Sequence, residues 1–452
     1  MSPRRRPEAG PITEEQVVEA AQLLEHVSVA KLLHFVGQDL VTDEQLLAAR
    51  LSDTVDVHTL RRLVTAVTGP LADVIVAVQP GFSYWAYPTA KMRRTLSFID
   101  TTCTAHSPIA LWLRDNPATL VQLRLESAIA SSRMDGLEID FESAKELLLL
   151  AREPRSKPER IVANSFRLFG ETESYANRHY SLDVLLEIFS RLSEGVQVPS
   201  NWLDEPLAAP SSPSVYPHPS ARSVLEQLAL MVNRESASVD VHPMLVGIIT
   251  ERVLTVYNPF PLLNGTMSRL IWHYFAVGAG YPVLGVVPYS SALNELPRTP
   301  GQLVVRPADE RANRMWQPDA DVTPLIDHRL RVVEQAMIEL EKRMKTRDAQ
   351  RQALRILLTA DPDLNRRQRS MIGRALRIEG ATFRIPYHQT SHNIAYSTAR
   401  TDFVELEEKG YLMRERQGHA FIYRAAPDLR ARMGKRAADA IGHSASLGIW
   451  GA

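Results

Sequence analysis

The stretch Val253-Leu254-Thr255-Val256-Tyr257-Asn258-Pro259-Phe260-Pro261-Leu262-Leu263-Asn264-Gly265-Thr266-Met267-Ser268-Arg269-Leu270-Ile271-Trp272-His273-Tyr274-Phe275-Ala276 decides how the chain is read. An apolar helical run leads into Asn258-Pro259-Phe260-Pro261, where two prolines stop it: they donate no backbone hydrogen bond and bias the preceding residues away from helix. Asn264-Gly265 is a turn dipeptide. A second helix is expected after it, with Leu270, Ile271, Tyr274 and Phe275 at helical spacing. The pattern is helix, tight loop, helix. Free N–H groups opening the second helix suit a phosphate. The same stretch also reads as a core helix–loop–helix without a ligand.

The stretch resembles the signature of the Fic (Fido) family, His-Pro-Phe-x-Asp/Glu-Gly-Asn-Gly-Arg-x-x-Arg. Pro259, Phe260, Asn264, Gly265 and Arg269 match it. Asn258 stands at the histidine position, Leu262 at the metal-binding acid, Leu263 at the first glycine and Thr266 at the first arginine. The resemblance implies a mainly α, helical Fic domain that moves AMP from ATP to a protein hydroxyl, with Asn264, Gly265, Thr266 and Arg269 as the nucleotide-binding set and Asn258 at the catalytic position. The departures fall on the chemistry. A general base must hold a proton, and an amide cannot. Magnesium needs oxygen ligands, which Leu262 lacks.

Glu126 to Gly136 resembles the family's inhibitory helix, Ser/Thr-x-x-x-Glu-Gly/Asn. Ser131 and Gly136 match, and Asp135 replaces the glutamate. The resemblance implies that Asp135 pairs with Arg269 and blocks productive ATP binding, although Asp is one methylene shorter. Without the resemblance, Asp135-Gly136 is a helix C-cap.

The 452 residues suggest two to three domains. Lys and Arg number 52 and Asp and Glu 52, so nucleic-acid affinity has to be local. A single cysteine, Cys103, excludes an intrachain disulfide and suggests a reducing compartment. No stretch reads as a membrane span, and a cytoplasmic protein is expected.

Residues 1–12 read as a disordered tail and 13–100 as a helical extension, with one strand expected between Gly69 and Tyr87. The Fic-like domain covers 101–300. Ser214 to Pro219, with Val215 and Tyr216, occupies the place of the family's flap, where an added strand would hold a protein target; it also reads as a surface linker of prolines and serines. His242 and His273, the histidines flanking the loop, read as structural. A linker helix follows over 325–358, with a solvated charged face or a role as a lever or dimer helix, so a homodimer is one expectation.

The segment 359–430 resembles a winged helix-turn-helix domain: a helix over Leu364–Ile378, a polar turn region over Tyr387–Asn393, a helix capped by Ser397 and ended by Gly410, then a strand pair around Gln417-Gly418. Residues 351–440 hold 17 Lys/Arg against 10 Asp/Glu, a local balance of +7. Such charge is what phosphate binding requires. The DNA-contacting set would be Ser397, Thr398, Arg400 and Thr401 on the recognition helix and Arg414 and Arg416 on the wing. Dimerisation or protein docking is the alternative.

Two functions compete. In one, a degenerate Fic domain, weak or inactive in AMP transfer, acts as a nucleotide-responsive or scaffold regulator with a DNA-binding winged helix; ATP is its ligand and magnesium is not expected to be held. In the other, a divergent Fic-type transferase moves AMP or another phosphate-linked group to a protein hydroxyl.

Overall fold

Apolar residues at helical spacing fill most of the chain, and in the computed structural model the protein is mainly α. The structure describes residues 21–22, 29–39, 43–48, 60, 63–64, 68, 72, 74–79, 82–150, 152–207, 219–237, 241–295, 320–359, 361–378, 380–417 and 420–436. The tail over 1–12 and the flap residues Val215 and Tyr216 lie outside them. Two compact units divide at Glu341/Lys342.

The first unit opens with α1 (Val29–Gln38) and α2 (Asp43–Ala48). An antiparallel pair follows, β1 (Val74–Gln79) with β2 (Phe82–Ala86), in register Val76 opposite Tyr84. The single strand expected here is therefore two, because the β-branched run Val74-Ile75-Val76 finds its ladder partner in the aromatic run that follows. A short β3 (Ala320–Asp321) joins β2 in parallel.

Helices α3 (Ala90–Thr102), α4 (Pro108–Arg114), α5 (Pro117–Met134), α6 (Phe141–Leu149), α7 (Lys157–Gly170), α8 (Thr172–Ala176), α9 (Leu182–Leu192), α10 (Ala221–Ser236), α11 (Pro243–Tyr257), α12 (Asn264–Gly278) and α13 (Tyr289–Glu295) make the body of the unit. Their starts are written in the sequence. Ser107, Ser156, Ser181 and Ser220 each accept a hydrogen bond from the N–H three residues on, satisfying a donor that a helix start otherwise leaves open.

Helix α12 is buried on all sides, from Met267 through Ala276, as a central helix must be. Its neighbour α11 is nearly as apolar. Between them, Phe260 is 2% exposed and stacks on Phe189 at 4.9 Å, with Trp202 at 5.8 Å. That anchor fixes the loop between α11 and α12. The long α14 (Thr323–Thr359) begins in this unit, where Arg329 pairs with buried Glu251 at 2.9 Å and Tyr289 donates to the same carboxylate at 2.6 Å.

The second unit contains α15 (Arg366–Arg377), β4 (Thr382–Phe383), α16 (Ile385–His392), α17 (Tyr396–Glu408), β5 (Leu412–Gln417) and β6 (Ala420–Ala425), with sheet order β4-β6-β5. The polar turn region expected over Tyr387–Asn393 is instead helix α16, with Pro386 in its first turn and Asn393 left-handed at its end. Helix α17 starts at Tyr396 with Ala395 at its N-cap, so Ser397 lies inside the first turn and does not cap it. Met371, Ile372, Phe403, Leu406, Tyr411, Tyr423 and Met433 form one core.

Buried Asp402 ties three helices of this unit together. It accepts from Arg367 Nε at 2.7 Å, Arg367 Nη2 at 2.9 Å and Asn365 Nδ2 at 2.7 Å, and meets His388 Nε2 at 2.9 Å. Burial pushes its carboxyl up, but Arg367, His388 and Asn365 outweigh that and hold it below the usual range. A folded-state value below the unfolded one gives stability that is present above about pH 4 and lost as pH falls through the folded-state value. The substitution Asp402→Asn leaves Arg367 without its carboxylate. It is expected to cost the second unit about 3 kcal/mol and to remove part of its acid sensitivity, measured by circular-dichroism melts between about pH 3 and pH 7.

Candidate functional site

Helix α5 ends where α12 begins, and the geometry of each end follows from its own residues. Gly136 takes φ +79°, a left-handed value that suits glycine. Leu137 N–H bonds back to Ser132 O at 3.1 Å and Gly136 N–H to Arg133 O at 3.0 Å, which closes the helix and sets Asp135 at its edge. At the other side of the junction, Leu263 caps α12 in the left-handed region at φ 60° and provides no side-chain acceptor. The helix therefore starts at Asn264, two residues earlier than the sequence suggests. The side chain of Asn264 folds back on the loop, accepting from Phe260 N–H at 2.9 Å and donating to Phe260 O at 2.6 Å.

The missing cap of α12 comes from α5. Asp135 Oδ2 accepts from Thr266 N–H at 2.9 Å and from Thr266 Oγ1 at 2.7 Å. Its other oxygen accepts from Arg269 Nη2 at 2.9 Å. Arg269 also donates to Ser131 Oγ through Nε at 2.8 Å and to Ser131 O at 2.8 Å, while the Ser131 and Thr266 hydroxyls lie 3.0 Å apart. Ser131 and Thr266 are fully buried, and the Arg269 and Asp135 side chains are 5% and 11% exposed. The negative C-terminal end of α5 thus meets the positive start of α12, and the carboxylate takes the position at a helix start that favours an anion.

The shorter reach of aspartate is accommodated by Gly265. A Cβ there would lie 2.2 Å from Asp135 Oδ1 and 2.9 Å from Arg269 Nη1. The structure therefore brings Ser131, Asp135, Gly136, Gly265, Thr266 and Arg269 to one junction, with Asn264 shaping the loop beside it. Asn258 is an exposed, left-handed C-cap of α11, at φ 44°. Thr266 is the participant that sequence reasoning undervalued. The loss of a cation and the retained hydroxyl were legible; that this hydroxyl bridges Ser131 and Asp135 was not, because those residues lie more than a hundred positions away.

Neither flanking histidine supplies a base. His273 is fully buried, its Nδ1 lies 2.7 Å from Leu284 O, and burial, opposed by that hydrogen bond and reinforced by Arg269, pushes its pKa down to about 4. His242 caps α11, accepting from Met244 N–H at 3.2 Å, with Asp100 3.1 Å from its other nitrogen. Among the described residues no group of three or more His, Cys, Asp or Glu side chains is placed to hold a metal ion. Leu262 does not fit the role of a magnesium ligand. No helix of the described residues is long and apolar enough to cross a membrane.

In the second unit, Ser397, Arg400 and Thr401 are exposed near the start of α17, and Thr398 is half-buried. Arg416 is exposed on β5. Arg414 lies 3.5 Å from Glu407 and over the Phe421 ring at 5.1 Å, and Arg424 pairs with Glu415 at 3.0 Å. These two strand cations are partly neutralised by acids of their own unit.

No family model matches the chain. No curated protein matches it either. Among solved structures, the chain is similar to a Fic family protein from Desulfovibrio desulfuricans G20, at 15% identity and a TM-score of 0.48, over 75% of this chain and 95% of that one.

The tight seat of Asp135 yields a test. Gly265→Ala is expected to lower stability by roughly 1–3 kcal/mol in calorimetric melts, because the new methyl displaces the carboxylate. Combined with Asp135→Gly, the same substitution should cost less, since only the flexible end of Arg269, 2.9 Å from the new methyl, still has to shift.

Proposed function

We propose that the first unit is a degenerate Fic-type domain whose phosphate site is held shut by its own carboxylate, and that the chain acts as a nucleotide-responsive or scaffold regulator. The seat of Asp135 on the start of α12 carries this reading. A nucleotide phosphate would use the same backbone donors and Arg269, so the two anions compete for one place. Asn264, Gly265 and Arg269 would hold the phosphates once Asp135 had left.

Catalysis is expected to be feeble. General-base help is worth about 10²–10⁴ in rate, and Asn258 cannot give it. His242 and His273 are committed to structural hydrogen bonds. With Leu262 at the acid position, ATP binding should depend little on magnesium. These features favour a regulator over a transferase, in a reducing cytoplasm compatible with one buried cysteine.

The second unit we read as a winged helix-turn-helix domain. Its order of helix, short strand, two helices and a strand pair supports this, as does the exposure of Ser397, Arg400 and Thr401. Its ligand would be duplex DNA, with α17 in the major groove.

Two measurements test these readings. In titration calorimetry, ATP is expected to bind the Asp135→Gly protein and not the parent, with or without magnesium. A folded Asp135→Gly protein that takes no ATP would overturn nucleotide responsiveness and leave a scaffold. In gel-shift assays, Arg400→Ala should weaken duplex binding roughly 5- to 100-fold, the loss of one base contact worth about 1–3 kcal/mol. Unchanged binding would remove α17 from the interface.

A further inference from the structure

Asp402 sorts the basic side chains of the second unit into two groups. Arg367 and His388 are spent on it inside the unit. Arg366, His392 and Arg400 remain on the surface. The His392 ring stands 4.7 Å from that of His388. Facing His392 are His388 on its own helix, Arg366 and Arg367 of α15, and Asp402 of α17. Burial and then the positive fields of His388, Arg367 and Arg366 depress its pKa, with Asp402 opposing them. On the far side, the field of Arg400 reaches Tyr423 of β6.

The sequence has no acid between Glu379 and Asp402. Arg366 at the start of α15, within the field of His392, and His392, Asn393 and Ser397 around the turn from α16 to α17 are all exposed, a set of cations and neutral hydrogen-bonding groups. Such a mixture suits phosphate oxygens, which accept from Arg, Ser and Asn alike.

We propose that the face formed by Arg366, His392 and Asn393 docks the phosphate backbone of duplex DNA, and that His392 takes up a proton on docking, so that binding tightens as pH falls. The proposal rests on the DNA-binding reading of the second unit and adds three residues, Arg366, His392 and Asn393, that lie outside the recognition helix. The sign follows from charge. Without DNA the cations around His392 favour the neutral ring; phosphates laid over them favour the imidazolium. Affinity then rises as pH drops through the bound-state value and levels off below the free-state value. A difference of about one unit between the two states gives about tenfold.

The test is fluorescence anisotropy of the full chain with a labelled mixed-sequence duplex of about two helical turns, at fixed salt, from about pH 8 to about pH 5.5. The parent should bind roughly tenfold tighter at the acid end. His392→Gln should keep the alkaline affinity and lose the pH dependence. Arg366→Ala should weaken binding at every pH and reduce the salt slope by about one. Duplex binding with the same pH profile in His392→Gln, or with unchanged affinity in Arg366→Ala, overturns this proposal while the DNA-binding reading stands. Absence of duplex binding at any pH removes that reading and the proposal together. Polyglutamate bound as tightly as the duplex would overturn the phosphate assignment in favour of an acidic protein.

Discussion

A carboxylate placed at the start of a buried helix is the constraint on which the first unit depends. Helix α12 is buried all round and starts without a cap of its own, since Leu263 provides no acceptor. Asp135, held at the end of α5 by the left-handed turn at Gly136, provides it through Thr266 and reaches on to Arg269. Removing any one of the three would leave a buried donor or charge without its partner, so the contact is as much a part of the fold as of the site.

The same contact shapes the functional reading. A helix start with a buried arginine is an anion site, and this one is filled by the chain itself. The neighbouring positions are poor in chemistry: an exposed amide at Asn258, an aliphatic side chain at Leu262, and a nearby histidine held neutral by burial. What remains is a place that an incoming phosphate would have to contest.

The second unit repeats the theme with a different outcome. Buried Asp402 also gathers cations from neighbouring helices, but its effect is to separate them. Arg367 and His388 are consumed within the unit, and the surface keeps Arg366, His392 and Arg400. On the strands the balance goes the other way, because Glu407 and Glu415 draw Arg414 and Arg424 back. A local excess of basic residues is thus not evenly available.

Much of this was readable beforehand because it is local. Helix periods, the proline stop after Tyr257, the serine cap at Ser181 and the glycine end at Gly136 depend on residues within a few positions of one another. Local signals also misled where two of them compete. Asn264-Gly265 has the composition of a turn, yet Leu263 takes the left-handed position and Asn264 opens the helix. The stretch from Tyr387 to Asn393 looked too polar for a helix, yet packing of His388 against Phe403 and its bond to Asp402 order it as one. The sequence by itself determined the helical character, the paired elements around Asn258 and the residues missing from the chemistry. Only the tertiary structure decided that Thr266 and Ser131 would complete the seat of Asp135, and that Gly265 would make room for a side chain one methylene short. Those are contacts between residues more than a hundred positions apart, and their geometry is set by how whole helices pack.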